Sequence, residues 1–102
     1  MEFLVEIDIR WPVDGDEARR RELVEAERRR SGELAEAGLL VRLWRIPGRW
    51  ANVGLWHARD ATELHEALSS LPRFPWMRIS VRPMAAHPSD PGRAGAGSIR
   101  AV

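Results

Sequence analysis

The sequence contains no cysteine and no lysine. The first absence excludes disulfides, thiolate nucleophiles and cysteine-based metal sites. The second removes Schiff-base chemistry and leaves arginine as the source of all sixteen cationic side chains. No apolar run approaches the ~20 residues of a membrane-spanning helix, and the N-terminus lacks the pattern of a secretory signal. A cytoplasmic protein with no membrane partner is the expectation. The three histidines, His57, His65 and His87, are scattered without HxH or HExxH spacing, so no metal site is expected. The serines lie in no nucleophile-elbow pattern, which argues against a serine hydrolase, and no glycine-rich loop is present to cradle phosphate. Charge of one sign is lacking too. The net charge is +1, and the basic runs at 19–21 and 28–30 are interleaved with Glu17, Glu22, Glu25, Glu27 and Glu33. Nucleic-acid binding needs a one-signed patch, and this pattern reads instead as a solvated helix face.

What is present is an ordinary globular balance over 102 residues, 44% hydrophobic and 30% charged, enough for one domain. A domain this small buries limited apolar surface, which creates pressure to oligomerise. Residues 3–11 alternate, with Phe3, Val5, Ile7, Ile9 and Trp11 on one face and Glu6, Asp8 and Arg10 on the other. That period of two predicts a strand. Residues 16–37 are rich in Ala, Glu, Arg and Leu and predict a long helix that stops at Gly38. Strands follow at 39–46 and 50–57, joined by the turn chemistry of Pro47-Gly48. Asp60-Ala61-Thr62-Glu63 resembles a capping box and opens a helix through Leu71, and 76–84 alternates again as a fourth strand. The order βαββαβ is the ferredoxin-like α+β arrangement, with a four-stranded antiparallel sheet. In that fold the first and fourth strands are neighbours, which would let Glu6 and Asp8 pair with Arg78 and Arg82, with plain solvent-exposed alternation an equal alternative. Residues 1–88 are expected to form the domain and 89–102 a tail, mobile or docked on a neighbouring subunit.

Two positions draw attention on chemical grounds. At 100° per residue, Leu23, Ala26, Leu34 and Ala37 gather on one stripe of the first helix, and Glu27 falls on its edge. Desolvation at such a boundary raises a carboxylate's basicity, as a general base requires. The alternative is an ion pair from Glu27 to Arg20 or Arg30, and periodicity alone favours it. In the third strand, Trp50, Asn52, Gly54 and Trp56 share one face. Gly54 leaves room beside Asn52 for a ligand or another backbone, and two indoles flanking an amide suggest a small pocket. Here the alternative is a packed core in which Asn52 bonds backbone, and taken alone it is again favoured.

The segment LWRIPGRWANVGLWH, residues 43–57, then gains a second meaning. Leu43-Trp44-Arg45-Ile46, Gly48 and Ala51-Asn52 resemble the LWRI-x-G-x-x-AN signature of muconolactone Δ-isomerases. Leu64-His65, Leu71-Pro72-x-Phe74-Pro75-x-Met77 and His87-Pro88-Ser89 fit the same family in the same order. The likeness covers roughly residues 1–90. It implies a subunit that pairs sheet to sheet into a dimeric α+β barrel, in family members often assembled further into decamers. It also implies an isomerase without metal or organic cofactor. That enzyme moves the double bond of a small anionic lactone, converting muconolactone to 3-oxoadipate enol-lactone in catechol catabolism.

The resemblance places the proton-shuttling base on Glu27 and a pocket position on Asn52, which suits hydrogen bonding to the dienolate. Trp50, Arg45, Trp76 and His65 are the expected substrate-binding residues, with Arg45 suited to gripping the substrate's carboxylate. Three departures stand out. Trp50 and Trp76 replace the family's usual tyrosines, and Leu4 stands where a histidine is common. An indole donates but cannot relay a proton as a phenol can, and it is bulkier. These departures keep open a repurposed member, an isomerase, cyclase or binding protein for a larger biosynthetic intermediate.

Overall fold

The computed structural model describes residues 1–12 and 14–92. Its elements follow the expected order: β1 (Glu2–Ile9), α1 (Glu17–Glu36), β2 (Leu40–Arg45), β3 (Ala51–His57), α2 (Ala61–Ser69) and β4 (Met77–Met84). The sheet order is β2-β3-β1-β4 and every neighbouring pair is antiparallel. The fold is therefore α+β and ferredoxin-like. Part of the expected tail, residues 93–102, lies outside the described residues.

Local chemistry explains most boundaries. Asp16 caps α1, its carboxylate accepting from the amides of Ala18 at 2.9 Å and Arg19 at 3.5 Å. Asp60 caps α2 by accepting from Glu63 N at 2.8 Å. Glu63 reaches back to the amide of Arg59, one residue before the cap, so the box closes with a one-residue offset. Gly48 takes a φ of 79° in the β2–β3 turn, a left-handed value that a side chain would strain. The second helix ends at Ser69 rather than Leu71. Pro75 lies inside a 3-10 turn, Phe74–Trp76, which delays β4 to Met77.

Burial sorts the two sheet faces. Phe3, Val5 and Ile7 of β1 and Trp56 of β3 meet Leu34 of α1 and Leu64, Ala67 and Leu68 of α2 in one core. The register sets Phe3 opposite Trp56, Val5 opposite Gly54 and Ile7 opposite Asn52, so Asn52 lies on this helix-facing side. The opposite face carries Leu4, Val53 and Leu55, half-buried, and Trp44, exposed, with no helix among the described residues packed over it. On the outer surface of α1, four arginine–glutamate pairs at i,i+3 spacing confirm the solvated face. Exposed pairs of this kind contribute only about 0.3–0.5 kcal/mol each.

Two expectations need correction. β1 and β4 are neighbours, but Glu6 and Asp8 do not pair with Arg78 and Arg82. Both turn to Arg49 in the β2–β3 turn, at 3.6 Å and 2.8 Å respectively, because its side chain reaches back across β1. The buried stripe of α1 is also shifted: Ala37 is exposed, and Glu27 sits within the stripe between Leu23 and Leu34 rather than at its edge.

Candidate active site

A cleft of about 910 Å3 opens at one end of the sheet. Its walls are the segment that follows β1 (Ile9 to Pro12), the β2 and β3 ends around the turn, the first half of α1, and Arg73 from the α2–β4 connection. Four of the six residues singled out by sequence line it: Glu27, Arg45, Trp50 and Asn52. The fold brings them together from α1, the end of β2, the turn and the start of β3.

Glu27 is 7% exposed and is the buried charged residue among the described residues. A carboxylate so placed needs a partner, and neither Arg20 nor Arg30 supplies it. Arg20 bonds Glu17, and Arg30 bonds Glu33 and Ser70. The partner is Arg73, 46 residues along the chain. Its backbone N–H donates to Oε1 at 3.0 Å and its Nε to Oε2 at 2.8 Å, with Nη2 2.7 Å from the same Oε2. Arg73 was not anticipated, and nothing local in the sequence could have linked it to Glu27.

Asn52 is half-buried, and its Oδ1 is buried without a hydrogen-bond partner among the described residues. Backbone bonding, the alternative for this amide, does not occur at Oδ1 among the described residues. A polar group in that state is one that a ligand can satisfy. Arg45 stands directly opposite Asn52 on β2, on the same face, and has no ion pair among the described residues. Of the two guanidinium groups that flank the turn, Arg49 is taken by Asp8 and Arg45 is left for an anion.

The tryptophans divide differently from expectation. Trp50 lies just before β3, its carbonyl fixed by the amide of Ile9 at 3.0 Å, while its side chain is 76% exposed at the cleft rim. Trp56, expected beside Asn52, is instead 2% exposed in the core. The room that Gly54 leaves is filled by the indole of Trp56 itself, whose Nε1 would lie 2.8 Å from a Cβ at that position. Trp76 does not line the cleft. It packs against Trp11 with ring centroids 4.6 Å apart and planes tilted by 48°, and Trp11 is the wall residue. Trp11 was legible only as the end of a strand, yet its indole Nε1 is a buried donor without a partner among the described residues. His65 is exposed on α2, edge-on to Phe74 at 6.3 Å and outside the cleft lining. The buried face of α2 is Leu64, Ala67 and Leu68, and His65 is turned away from it. Leu4 belongs to the opposite sheet face, in a shallow depression with Glu6, Val53 and Arg82, so that departure leaves the cleft untouched.

Residues 1–90 match the muconolactone delta-isomerase family. The chain belongs to the muconolactone Δ-isomerase family. A muconolactone Δ-isomerase from Rhodococcus opacus is 39% identical over 88 residues, covering 86% of this chain and 95% of the relative. Muconolactone Δ-isomerase 2 of Acinetobacter lwoffii is 38% identical over 90 residues, covering 88% and 94%. A crystal structure of muconolactone isomerase superposes with a TM-score of 0.83 at 36% identity, covering 88% of this chain and 94% of the other. The likeness thus includes every element from β1 to β4.

Proposed function

We propose that the cleft isomerises muconolactone to 3-oxoadipate enol-lactone, moving one ring double bond by a 1,3-proton transfer. The observation that carries the reading is the pairing, in one cleft, of the buried carboxylate of Glu27 with the side-chain amide of Asn52. Glu27 removes the proton from the ring carbon that bears the carboxymethyl arm. The C–H electrons form the new ring double bond, and the old one shifts toward the carbonyl as a dienolate. The Nδ2 amide group of Asn52, not its Oδ1, donates to the oxygen where that charge gathers. Glu27 then returns the proton to the carbon next to the carbonyl. The transfer is redox-neutral, and the same group serves as base and acid. Arg45 holds the substrate's carboxylate, for which its fork of donors is suited. The test is incubation of the purified protein with muconolactone while enol-lactone formation is followed by proton NMR. Unchanged substrate at micromolar enzyme would reject the reading.

One observation favours a second reading. A cleft of about 910 Å3 is at the upper end of the ~300–1,000 Å3 that ligand sites span, roomy for a single five-membered ring. A larger ring system with a carboxylate arm is that alternative, and the indole of Trp50 at the rim would be its contact. Trp50→Tyr separates the two. On the first reading it raises turnover of muconolactone or leaves substrate preference shifted toward it. Unaltered binding and turnover would reduce Trp50 to a packing role.

The assembly belongs to the same proposal. The outer sheet face, with Leu4, Val53 and Leu55, has no helix packed over it. A second copy laid sheet to sheet covers it, giving a dimeric barrel from which larger rings can form. Sedimentation equilibrium at micromolar concentration should show a dimer or a multiple of one. A stable monomer would contradict it. The reading places the protein in the cytoplasm.

A further inference from the structure

We infer that Arg73 is a positioning residue for the base: it occupies one oxygen of Glu27 and leaves the other to carry the proton. The inference rests on the proposed role of Glu27 and assigns that role to a single atom.

The geometry is asymmetric. A guanidinium commonly meets a carboxylate as a fork, one N–H to each oxygen. Here Nε and Nη2 both converge on Oε2, at 2.8 Å and 2.7 Å, and only the backbone N–H of Arg73 reaches Oε1, at 3.0 Å. Each carboxylate oxygen offers two lone-pair directions. At Oε2 one direction accepts from Nε, and Nη2 crowds the same oxygen at ion-pair distance. Oε1 keeps one open, so it is the oxygen able to accept a carbon-bound proton. Glu27 itself lines the cleft.

The same contacts restrict motion. Glu27 has three side-chain torsions, and a base that wanders among them spends little time at attack distance from either carbon. Two hydrogen bonds and one ion-pair contact from a single residue fix the carboxylate plane. The anchor is well chosen, because the α2–β4 connection is tied to α1 a second time by Arg30 Nε and Ser70 Oγ at 2.9 Å. A 1,3-shift requires one oxygen to reach two carbons in turn without the carboxylate rotating between them. Misplacement by about 1 Å costs roughly 100-fold in rate.

Arg73 is also 23% exposed and lines the cleft, so it has a competing use as a grip on the substrate's carboxylate. Steady-state kinetics on muconolactone separates the uses. Arg73→Gln and Arg73→Lys are compared with wild type and with Glu27→Gln, each checked by circular dichroism. Positioning predicts that Arg73→Gln lowers kcat by about 10- to 100-fold with KM within a factor of about two. Arg73→Lys, which restores one charged contact to Oε2, recovers part of the loss. A rise in KM at unchanged kcat makes Arg73 a substrate grip and overturns the inference. Wild-type kcat and KM in both variants make the pair purely structural and overturn it equally. If Arg73→Gln fails to fold, Arg73→Lys carries the test alone: reduced kcat at constant KM supports positioning, and wild-type values or a raised KM refute it. Glu27→Gln distinguishes the two levels. An inactive Glu27→Gln beside fully active Arg73 variants sinks this inference alone, whereas an active Glu27→Gln removes the base and the inference with it.

Discussion

Replacing Glu27 with glutamine should lower isomerase turnover by at least ~100-fold, the lower range of what loss of a general base costs. Glutamine keeps the length and shape of the side chain but has no site that accepts a carbon-bound proton. Its amide oxygen can still take the guanidinium contacts of Arg73 that Oε2 takes now. Its NH2 would then face the backbone N–H of Arg73, which donates to Oε1 in the native chain. One buried donor is left without an acceptor, at a cost of about 1–3 kcal/mol. The variant should fold and assemble, and circular dichroism beside steady-state kinetics separates lost chemistry from lost structure. No lysine, cysteine or clustered histidine stands ready to replace the carboxylate. Near-wild-type turnover would move the base elsewhere.

Asn52→Ala should lower kcat by about 100- to 1,000-fold, the usual loss when one donor to a developing oxyanion is removed. Stability should change little. The side-chain Oδ1 of Asn52 has no hydrogen-bond partner among the described residues, so the truncation breaks no bond at that oxygen that folding made. A purely structural amide would show the reverse, a structural loss with little functional one. Thermal unfolding and turnover measured on the same sample decide between the two patterns. A large fall in melting temperature with kcat intact would make the amide structural.

How much of this was legible in the chain follows from the range of each interaction. β1 could be read from its alternation because one face of it is buried and the other is not, and period two is all that such a strand needs. The cap Asp60 acts within three residues and was equally plain, whereas Asp16 was read only as the start of a helix. β2 was harder. Its register slips between Leu40 and Arg42, and the bulge breaks the alternation that would have told which side Trp44 faces. Trp50 and Trp56 share a strand face by counting, yet one lies beyond the strand end at the rim and the other beneath the helices. Counting cannot say where helices stop covering a sheet. The ion pair of Glu27 was the largest omission. Arg20 and Arg30 are within one helical turn or two, whereas Arg73 is 46 residues distant and meets Glu27 only because α1 and the α2–β4 connection pack on the same sheet. His65 failed for a similar reason: a residue at the border of a nine-residue helical stripe turns inward or outward according to what packs beside it.

The most direct test follows the migrating hydrogen. Muconolactone is incubated with the protein in deuterium oxide, and proton NMR records the ring positions as the reaction proceeds. A single-base shuttle predicts enol-lactone as product. The hydrogen on the carbon bearing the carboxymethyl arm is lost, and the carbon beside the carbonyl carries hydrogen or deuterium according to how often Glu27 exchanges with solvent before returning its proton. Muconolactone that stays unconverted, with its ring hydrogens unexchanged, would contradict the assignment of this cleft to proton transfer.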